Sequence, residues 1–288
     1  MNVKLLKAFV MLAQKGNYGD AAQALCVTQP ALTKQINLLE SMLNIHLFTR
    51  GRHGAALTRS GQQLLAQAEK TVSQSEFFLQ SAARVAKGIE GLLAIGFGLS
   101  TFYTAPQCIA KFRQQFPAIS ITLEDIPSAQ QYTLLTRGEL QIGFVRAPPT
   151  AVLDFYPLFE DRLVLVTPQN KTHAPDEWLK YLPLLRLYTE RGRGLNTQTD
   201  LFLQSNQWHA PATQEVEDIQ TILALVIAGL GVALLPQSVM HIAPPGINIM
   251  PLSGNNISWQ VGIAWNSAIA DLARDNFIKM AMGSVPSS

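Results

Sequence analysis

Apolar side chains recur every three or four residues from Leu5 to Ala13, near the start of the chain, and Gly16 follows them. This spacing predicts an amphipathic helix that ends at the glycine. A second helix is predicted to begin near Asp20, with two adjacent alanines on its inner face. Because alanine is small, the pair indicates that two helices cross closely at this point.

A third helix is predicted after a corner at Val27 and Thr28, because Thr28 is a good N-cap and Pro30 is tolerated in a first helical turn. Its buried stripe is predicted to consist of apolar residues three or four positions apart. Polar side chains then lie on its exposed side. They are Gln29, Thr33, Lys34 and Asn37.

These exposed side chains have the chemistry of a DNA-reading helix. Gln can form two hydrogen bonds with an adenine edge, Thr and Pro can contact a thymine methyl group, and Lys can bind a phosphate. On an isolated helix they would more often be ordinary solvated residues. The preceding helix and the tight corner favour a helix-turn-helix, whose second helix enters the major groove.

A glycine-rich basic loop follows Leu47 and Phe48, and it contains Arg50 and Arg52. Such a loop is typical of a wing, which lays arginine along the DNA backbone or into a minor groove. The alternative is a flexible surface turn.

Residues 62–87 contain neither glycine nor proline, which favours one long helix. Seven positions in this segment are spaced alternately by three and four residues: Leu65, Ala68, Val72, Ser75, Leu79, Ala82 and Ala86. This heptad seam predicts pairing with the same helix of a second copy. The alternative is a helix that packs only on its own domain.

The remainder of the chain alternates between short apolar strand patterns and helical patterns. Strands are predicted at residues 92–97, 119–123, 141–145, 163–167, 184–188, 212–216, 232–235, 247–252 and 259–265. Helices are predicted at residues 103–116, 130–137, 176–181, 197–205, 219–228, 237–241 and 269–282. This alternation predicts an open, largely parallel α/β sheet, and its repetition after Asp161 indicates two similar lobes.

Ligands of open α/β lobes bind at strand ends, beside helix N-termini. The candidates at such positions are Ser100, Thr101 and Arg146 in the first lobe, and Asn196 and Thr197 in the second. The hydroxyl groups and nearby backbone amides could hold a carboxylate, phosphate or sulfate oxygen, and the arginine could pair with an anion. N-capping or a solvated surface position is the alternative for each of them.

Positive charge is concentrated in the first 60 residues of the chain. Residues 1–60 contain seven Lys or Arg and two Asp or Glu, a net charge of +5, whereas the remaining 228 residues contain 15 and 18, a net charge of −3. A basic head on a mildly acidic body suits an anionic polymer bound at one end. The overall composition, 48% hydrophobic and 15% charged, is that of a globular chain.

Motifs that the sequence lacks argue against an enzyme. It has no phosphate-binding loop, dinucleotide, zinc-protease or Cys-x-x-Cys motif, and its five histidines are dispersed. We therefore expect no catalytic residue, no cofactor and no metal site. Cys26 and Cys108 are its only cysteines, which fits a reducing compartment, and each is expected on a packed helix. The longest apolar stretch, residues 223–236, is too short to span a bilayer, so we expect a cytoplasmic protein that does not bind a membrane.

One set of positions within residues 21–61 carries a family resemblance: Ala21, Ala22, Leu25, residues 27–33, Gln35, Ile36, Leu39, Glu40, Leu43, Leu47, Phe48, Arg50, Leu57, Thr58 and Gly61. Together they resemble the winged helix-turn-helix of LysR-type transcriptional regulators. The resemblance implies base and backbone contacts for Gln29, Pro30, Thr33 and Lys34, with Arg50 and Arg52 in the wing. We add Thr28 and Thr58 to these candidate DNA contacts.

Two positions depart from the family's pattern. Gly19 stands where Ser or Thr commonly caps the second helix, so a weaker cap is expected there. Asn44 replaces a usual glycine, but asparagine tolerates the left-handed conformation.

The resemblance implies a winged helix-turn-helix at residues 1–58 and a dimerising linker helix at residues 59–89. Residues 90–288 would then form a two-lobed α/β effector domain like the periplasmic binding proteins. Its first lobe would comprise about 90–161 plus 266–288, and its second about 162–265.

A sequence-specific transcriptional regulator is therefore the function we predict, with its oligomer geometry controlled by a small molecule bound between the lobes. The expected partners are double-stranded DNA and a small-molecule effector, which could be an anion. Further copies of the chain are expected in a homodimer or a dimer of dimers. RNA polymerase is a further candidate partner. The alternatives are a small-molecule-binding protein whose head serves another partner, and an enzyme built on the two-lobed body.

Overall fold

The computed structural model describes residues 2–51, 54–147, 151–169 and 173–284. The chain divides into two compact units, Met1–Arg84 and Val85–Ser288. No helix in these described ranges is long and apolar enough to cross a membrane.

The first unit consists of four helices and a hairpin: α1 (Val3–Lys15), α2 (Tyr18–Ala24), α3 (Gln29–Leu43), β1 (Phe48–Gly51), β2 (Gly54–Leu57) and α4 (Arg59–Val85). Its core is fully apolar, with Phe9, Leu12, Leu32 and Leu39 each almost completely buried. The apolar stripes of α1 and α3 therefore face each other as the helical spacing predicts.

Local capping explains where α2 and α3 begin and end. Asn17 is the N-cap of α2, and its Oδ1 accepts the backbone N–H of Asp20 at 2.7 Å. The weaker cap expected from Gly19 is therefore wrong, because α2 begins two residues earlier than predicted and an asparagine caps it. Asn44 ends α3 in the left-handed conformation, at φ 53°, as expected.

Cys26 lies in the turn between α2 and α3, exposed and at φ 54°. The prediction that it packs on a helix is wrong, since the tight corner requires a left-handed residue just after α2. Cys108 does lie on a helix of the second unit and is partly buried.

The linker helix α4 has two different halves. Ala68 is buried, and Leu65 and Val72 pack with it against the core of their own unit. By contrast, Phe78 and Leu79 further along are 69% and 61% exposed. The first half of the predicted seam thus faces its own unit, and only the second half is open to a partner.

The second unit contains one mixed sheet with helices around it. Its strands are β3 (Gly91–Phe97), β4 (Ile119–Asp125), β5 (Ile142–Arg146), β6 (Asp154–Pro168), β7 (Leu184–Leu187), β8 (Thr213–Val216), β9 (Val232–Pro236), β10 (Ile247–Pro251) and β11 (Ser258–Trp265). Its helices are α5 (Thr104–Gln115), α6 (Ser128–Arg137), α7 (Trp178–Tyr181), α8 (Thr189–Ser205), α9 (Ile219–Ile227) and α10 (Leu272–Ser284), with 3₁₀ turns at Leu99–Thr101 and Gln237–His241.

The sheet has the order β4-β3-β5-β11-β6-β9-β7-β8, and β10 also pairs with β6. Each lobe has a parallel part, in which β3 pairs with β4 and β5, and β7 pairs with β8 and β9. The two central strands, β6 and β11, run antiparallel to all their partners. The prediction of a largely parallel sheet is therefore wrong at its centre.

The long strands β6 and β11 link the lobes. Their ladder contains an irregularity between Val261 and Gly262, where the register moves from Phe159 to Pro157. Gly262 fits only as glycine, because an added Cβ would lie 2.2 Å from the backbone oxygen of Tyr156.

Side chains of β11 contribute to the cores of both lobes. Ile263 packs in the first core with Phe144 and Phe277 of α10, whereas Val261 packs in the second core with Leu163. Because one strand serves both cores, the lobe boundaries along the chain remain a prediction.

Helix α8 begins at Thr189, eight residues before its predicted start at Thr197. Its first turns contain Gly192 and Gly194, which weaken a helical pattern. Gly192 is required by packing, since an added Cβ would lie 2.5 Å from the Cβ of Leu187. Tertiary contact with β7 thus overrides a poor local propensity.

Candidate functional site

The first candidate site is the N-terminal end of α3. Gln29, Pro30 and Lys34 are exposed there, on a helix whose other face is buried in the core. The Oγ1 of Thr33 donates to the backbone oxygen of Gln29 at 3.0 Å, and the Oγ1 of Thr28 accepts the N–H of Ala31 at 3.4 Å. The structure therefore brings these five predicted residues together on the first two turns of one helix.

The wing residues of the prediction are placed less completely. Arg50 lies in β1, paired with Ala55 of β2, and Arg52 lies outside the described residues. Thr58 is partly buried, and its Oγ1 donates to the backbone oxygen of His46 at 2.7 Å and accepts the N–H of Gly61 at 3.0 Å. Its hydroxyl therefore caps the start of α4.

Sequence reasoning missed the role of Glu40, which connects α3 to the hairpin. Its Oε1 accepts the backbone N–H groups of Leu47 at 2.6 Å and Phe48 at 3.1 Å. The signal was present, because an acidic residue near a helix C-terminus is disfavoured by the helix dipole and so calls for a specific partner. Glu40 thereby positions the wing relative to α3.

Replacing Glu40 with alanine is expected to destabilise the hairpin by about 1–3 kcal/mol for each buried N–H left without an acceptor. Hydrogen exchange over residues 46–58 should become faster in Glu40→Ala. Glu69→Ala is the matched control, since Glu69 is exposed on α4 and should leave that exchange unchanged. Unaltered protection of the hairpin in Glu40→Ala would contradict the role given to this carboxylate.

The second candidate site is a cavity of about 580 Å³ between the two lobes of the second unit. It is lined by the 3₁₀ turn Leu99–Thr101, the first turn of α6, Arg146 at the end of β5, residues 190–195 of α8 and Trp259. Neither α6 nor α8 has a side-chain cap at its N-terminus. Two helix N-termini without a side-chain cap therefore border one cavity, which Glu190 of α8 also lines. The partial positive charge of a helix N-terminus favours an anion.

Arg146 is held at the base of this cavity by elements from both lobes. Its backbone N–H donates to Ser128 Oγ at 3.2 Å, and its backbone oxygen accepts from the Tyr132 hydroxyl. Its guanidinium donates to the backbone oxygen of Gly194 at 3.1 Å and to Gln198 Oε1. The guanidinium carbon lies 4.1 Å from the ring centre of Trp259, a cation–π distance.

None of the described residues forms an ion pair with Arg146 within 4.0 Å. Burial lowers the pKa of Arg146 to about 10, against the opposing effects of Tyr132 and Asp161. Burial also raises the pKa of Tyr132 to about 12, so its hydroxyl is neutral at physiological pH. The cavity therefore contains a half-buried cation that an incoming anion would neutralise.

An adjoining cavity of about 430 Å³ has the opposite character. It is lined by Asp125, Glu217 and Asp218, and a contact of 3.9 Å joins Asp125 to Arg191. Burial raises the pKa of Asp125, and Arg191 lowers it. This difference in charge between the two cavities favours an anion at the Arg146 end of the space between the lobes.

The other predicted ligand contacts divide into two groups. Ser100 and Thr101 line the same cavity as Arg146, although the Oγ1 of Thr101 is already bonded to the backbone of Gly98. Asn196 and Thr197 lie within α8 and do not line the cavity.

The side chains of Asn196 and Thr197 bond to nearby backbone. Asn196 Nδ2 donates to the oxygen of Leu187 and Thr197 Oγ1 to that of Arg193, each at 2.8 Å. The earlier start of α8 explains this, because it moves the helix N-terminus from Thr197 to Glu190 and its neighbours. In the described part of the chain, no group of three His, Cys, Asp or Glu could hold a metal ion.

Comparison with known proteins places both units in one class. Residues 3–62 match the family model of the bacterial regulatory helix-turn-helix proteins of the lysR family, and residues 86–282 match that of the LysR substrate binding domain. The protein is thus a transcriptional regulator with a helix-turn-helix unit and a ligand-binding unit. This chain belongs to the LysR family.

Relatives of this chain are named as transcriptional regulators as well. AlsR of Bacillus subtilis is 29% identical over 245 residues, which cover 83% of this chain and 81% of AlsR. A probable cat1 operon transcriptional activator of Acinetobacter lwoffii is 30% identical over 246 residues, with the same two coverages. As a member of this family, the protein is a regulator that binds DNA and small-molecule effectors and forms oligomers, and it is not an enzyme.

Solved structures share the fold over the full length. CbnR in complex with its target DNA has a TM-score of 0.78 at 23% identity, covering 99% of this chain and 100% of CbnR. Full-length BenM has a TM-score of 0.58 at 23% identity and covers 100% of both chains.

Proposed function

We propose that this chain regulates transcription by inserting the N-terminal end of α3 into the major groove of a specific DNA site. One observation carries the proposal: Gln29, Pro30 and Lys34 are exposed at that end, while the opposite face of the same helix is buried. The net charge of +5 over residues 1–60 supplies the electrostatic attraction to phosphate. A solved relative, CbnR, is described in complex with its target DNA. The compartment we propose is the cytoplasm.

The proposal is tested by measuring binding of the full chain to DNA from upstream of its own coding region, at several salt concentrations. Affinity should fall steeply as salt rises, and a footprint should cover two neighbouring half-sites. Binding that is equally strong to unrelated DNA of the same length would contradict sequence-specific regulation.

We propose a homodimer, or a dimer of such dimers, as the state that reads two half-sites. The second half of α4 supports this, because Leu79 of the seam and its neighbour Phe78 are each more than half exposed. A second copy of the same helix would cover this apolar surface and is related to the first by two-fold symmetry.

Leu79→Glu is expected to weaken the dimer, since each copy loses about 1.5–3 kcal/mol of burial and gains a charge at the interface. Sedimentation of the full chain over a range of concentrations measures the change. Gln80→Glu adds the same charge at a neighbouring exposed position and should leave the association nearly unchanged. Equal dissociation of both variants would argue against the seam through Leu79.

We further propose that an anionic small molecule binds at Arg146 and alters the arrangement of the subunits. The half-buried guanidinium without a carboxylate partner supports this site, as do the two helix N-termini beside it. Ser100 lies on the same cavity and offers a hydroxyl. Asn196 and Thr197 are left out of the proposed site because their side chains bond to backbone away from the cavity.

A further inference from the structure

Gln198 is a buried side chain of α8 that connects the cavity with a surface turn. It is only 7% exposed. Its Oε1 accepts from the guanidinium of Arg146, and its Nε2 donates to the backbone oxygen of Asn256. One amide thus bonds at one end to the cation of the cavity and at the other end to the turn between β10 and β11.

That turn, residues 252–257, is held by polar contacts to the C-terminal end of α8. Asn206 exchanges two hydrogen bonds with the backbone of Asn255, at 3.1 and 3.2 Å. Asn256, in the left-handed conformation at φ 56°, donates through Nδ2 to Ser205 Oγ at 2.7 Å. A backbone bond from Leu163 N to Ile257 O at 2.7 Å also holds the turn, and the part-buried bond from Gln198 adds a contact at Asn256.

An anion in the cavity would offer the guanidinium of Arg146 a charged hydrogen-bond acceptor in place of its neutral ones. In this structure both of its partners, Gly194 O and Gln198 Oε1, are neutral acceptors. A carboxylate, sulfate or phosphate oxygen brings an opposite charge that these neutral acceptors lack, and it can bind a guanidinium in a bidentate manner. An anion in the cavity therefore competes with the amide of Gln198 for the guanidinium.

We propose that Gln198 is a positioning residue that an anionic effector displaces from Arg146, and that this displacement loosens the turn at residues 252–257. This inference rests on the proposed effector site at Arg146. Gln198 is not among the residues that line the cavity, so the anion draws the guanidinium of Arg146 toward the cavity and away from the amide. The amide then loses its anchor at Oε1, and its bond to Asn256 is no longer fixed from both ends. The order of this surface turn of the second lobe then depends on whether an anion occupies the cavity.

Variants at position 198 separate competition from a merely structural role. In Gln198→Glu, the new carboxylate pairs with Arg146 and should lower the affinity for sulfate roughly tenfold, within the usual range of coupling between sites. In Gln198→Ala, the competitor is absent, so sulfate affinity should equal or exceed that of the unaltered chain. Gln204→Glu is the control, because Gln204 is exposed on the same helix.

The experiment uses the full chain and titrates sodium sulfate at constant ionic strength, with calorimetry for binding and hydrogen exchange for the turn. Sulfate should speed exchange over residues 252–257 of the unaltered chain. In Gln198→Ala, hydrogen exchange over residues 252–257 should be fast without sulfate, and adding sulfate should not change it.

Two failures have different meanings. In the first case, sulfate binds the unaltered chain and Arg146→Ala abolishes that binding, so the effector site stands. If Gln198→Glu then binds sulfate normally, or if sulfate does not change hydrogen exchange in the turn, the proposed displacement of Gln198 is wrong. If sulfate binds neither the unaltered chain nor Gln198→Ala, the anion site at Arg146 fails, and the inference fails with it.

Discussion

Arg146→Ala is expected to abolish recognition of an anionic effector while leaving DNA binding by the first unit intact. The substitution removes a half-buried charge that has no carboxylate partner among the described residues, so the anion loses about 2–5 kcal/mol of binding free energy. Calorimetry with sulfate, or with an anion found by thermal-shift screening of metabolites, measures the loss. Arg146→Lys should be intermediate, because an ammonium keeps the charge but cannot form the planar bidentate pair.

The control for this experiment is Arg137→Ala, since Arg137 is exposed on α6 and pairs at 3.9 Å with Glu139. It should bind the anion as the unaltered chain does. The pH dependence gives a second check: with a pKa of about 10, Arg146 is charged at neutral pH, and a bound anion raises that pKa. Affinity should therefore be constant near neutral pH and fall as the pH rises through about 10. If Arg146→Ala binds the anion as tightly as the unaltered chain does, the proposed effector site at Arg146 is wrong.

Gln29→Ala and Thr33→Ala are each expected to relax base preference and to cost about 1–3 kcal/mol of specific binding. Their side chains lie on the exposed first turns of α3, where hydrogen bonds and methyl contacts to base edges are available. Fluorescence anisotropy against the operator and its single-base variants measures both effects. Thr33→Val keeps the methyl group and lacks the hydroxyl, so it separates the two kinds of contact.

Lys34→Ala should behave differently, because a phosphate contact carries no sequence information. Its affinity should fall similarly for all sequences, and the dependence of affinity on salt should become flatter. Gln23→Ala, at an exposed position of α2, serves as the control for all three residues. Unchanged specificity in Gln29→Ala and Thr33→Ala would mean that α3 is not the reading helix.

The first unit could be predicted closely because its determinants are local. The helix at Gln29–Leu43 follows from Thr28 as N-cap, a three-and-four apolar stripe, and Asn44 in the left-handed conformation. What the sequence left open there is the partner of Glu40: an acidic residue near a helix C-terminus indicates that a partner is needed, but its partners lie seven and eight residues away, outside the helix. Side-chain bonds between elements leave no periodic signal.

In the second unit, local sequence patterns predicted only part of strand β6. Only residues 163–167 of β6 were predicted, whereas the strand begins at Asp154 and contains Pro157. Proline lacks the N–H that a ladder requires, and it is tolerated at bulges. Pro157 pairs with Gly262 at the irregularity of the β6–β11 ladder, where β6 has one extra residue. Pairing between distant segments therefore creates a strand that its own sequence disfavours.

The candidate cavity was predicted in part for the same reason. Ser100, Thr101 and Arg146 follow strands whose ends could be read from the sequence, and all three line the cavity. Asn196 and Thr197 do not, because the glycines of α8 concealed the true start of that helix. Gln198 had no signal at all, since its partners Arg146 and Asn256 are 52 and 58 positions away.

The paired central strands have a mechanical consequence for any response to an effector. Because β6 and β11 pass through both lobes, the lobes cannot swing apart without bending a continuous two-stranded ribbon. The ladder of this ribbon is already interrupted between Val261 and Gly262. We therefore expect any adjustment of the lobes to an occupant to bend the ribbon at that irregularity.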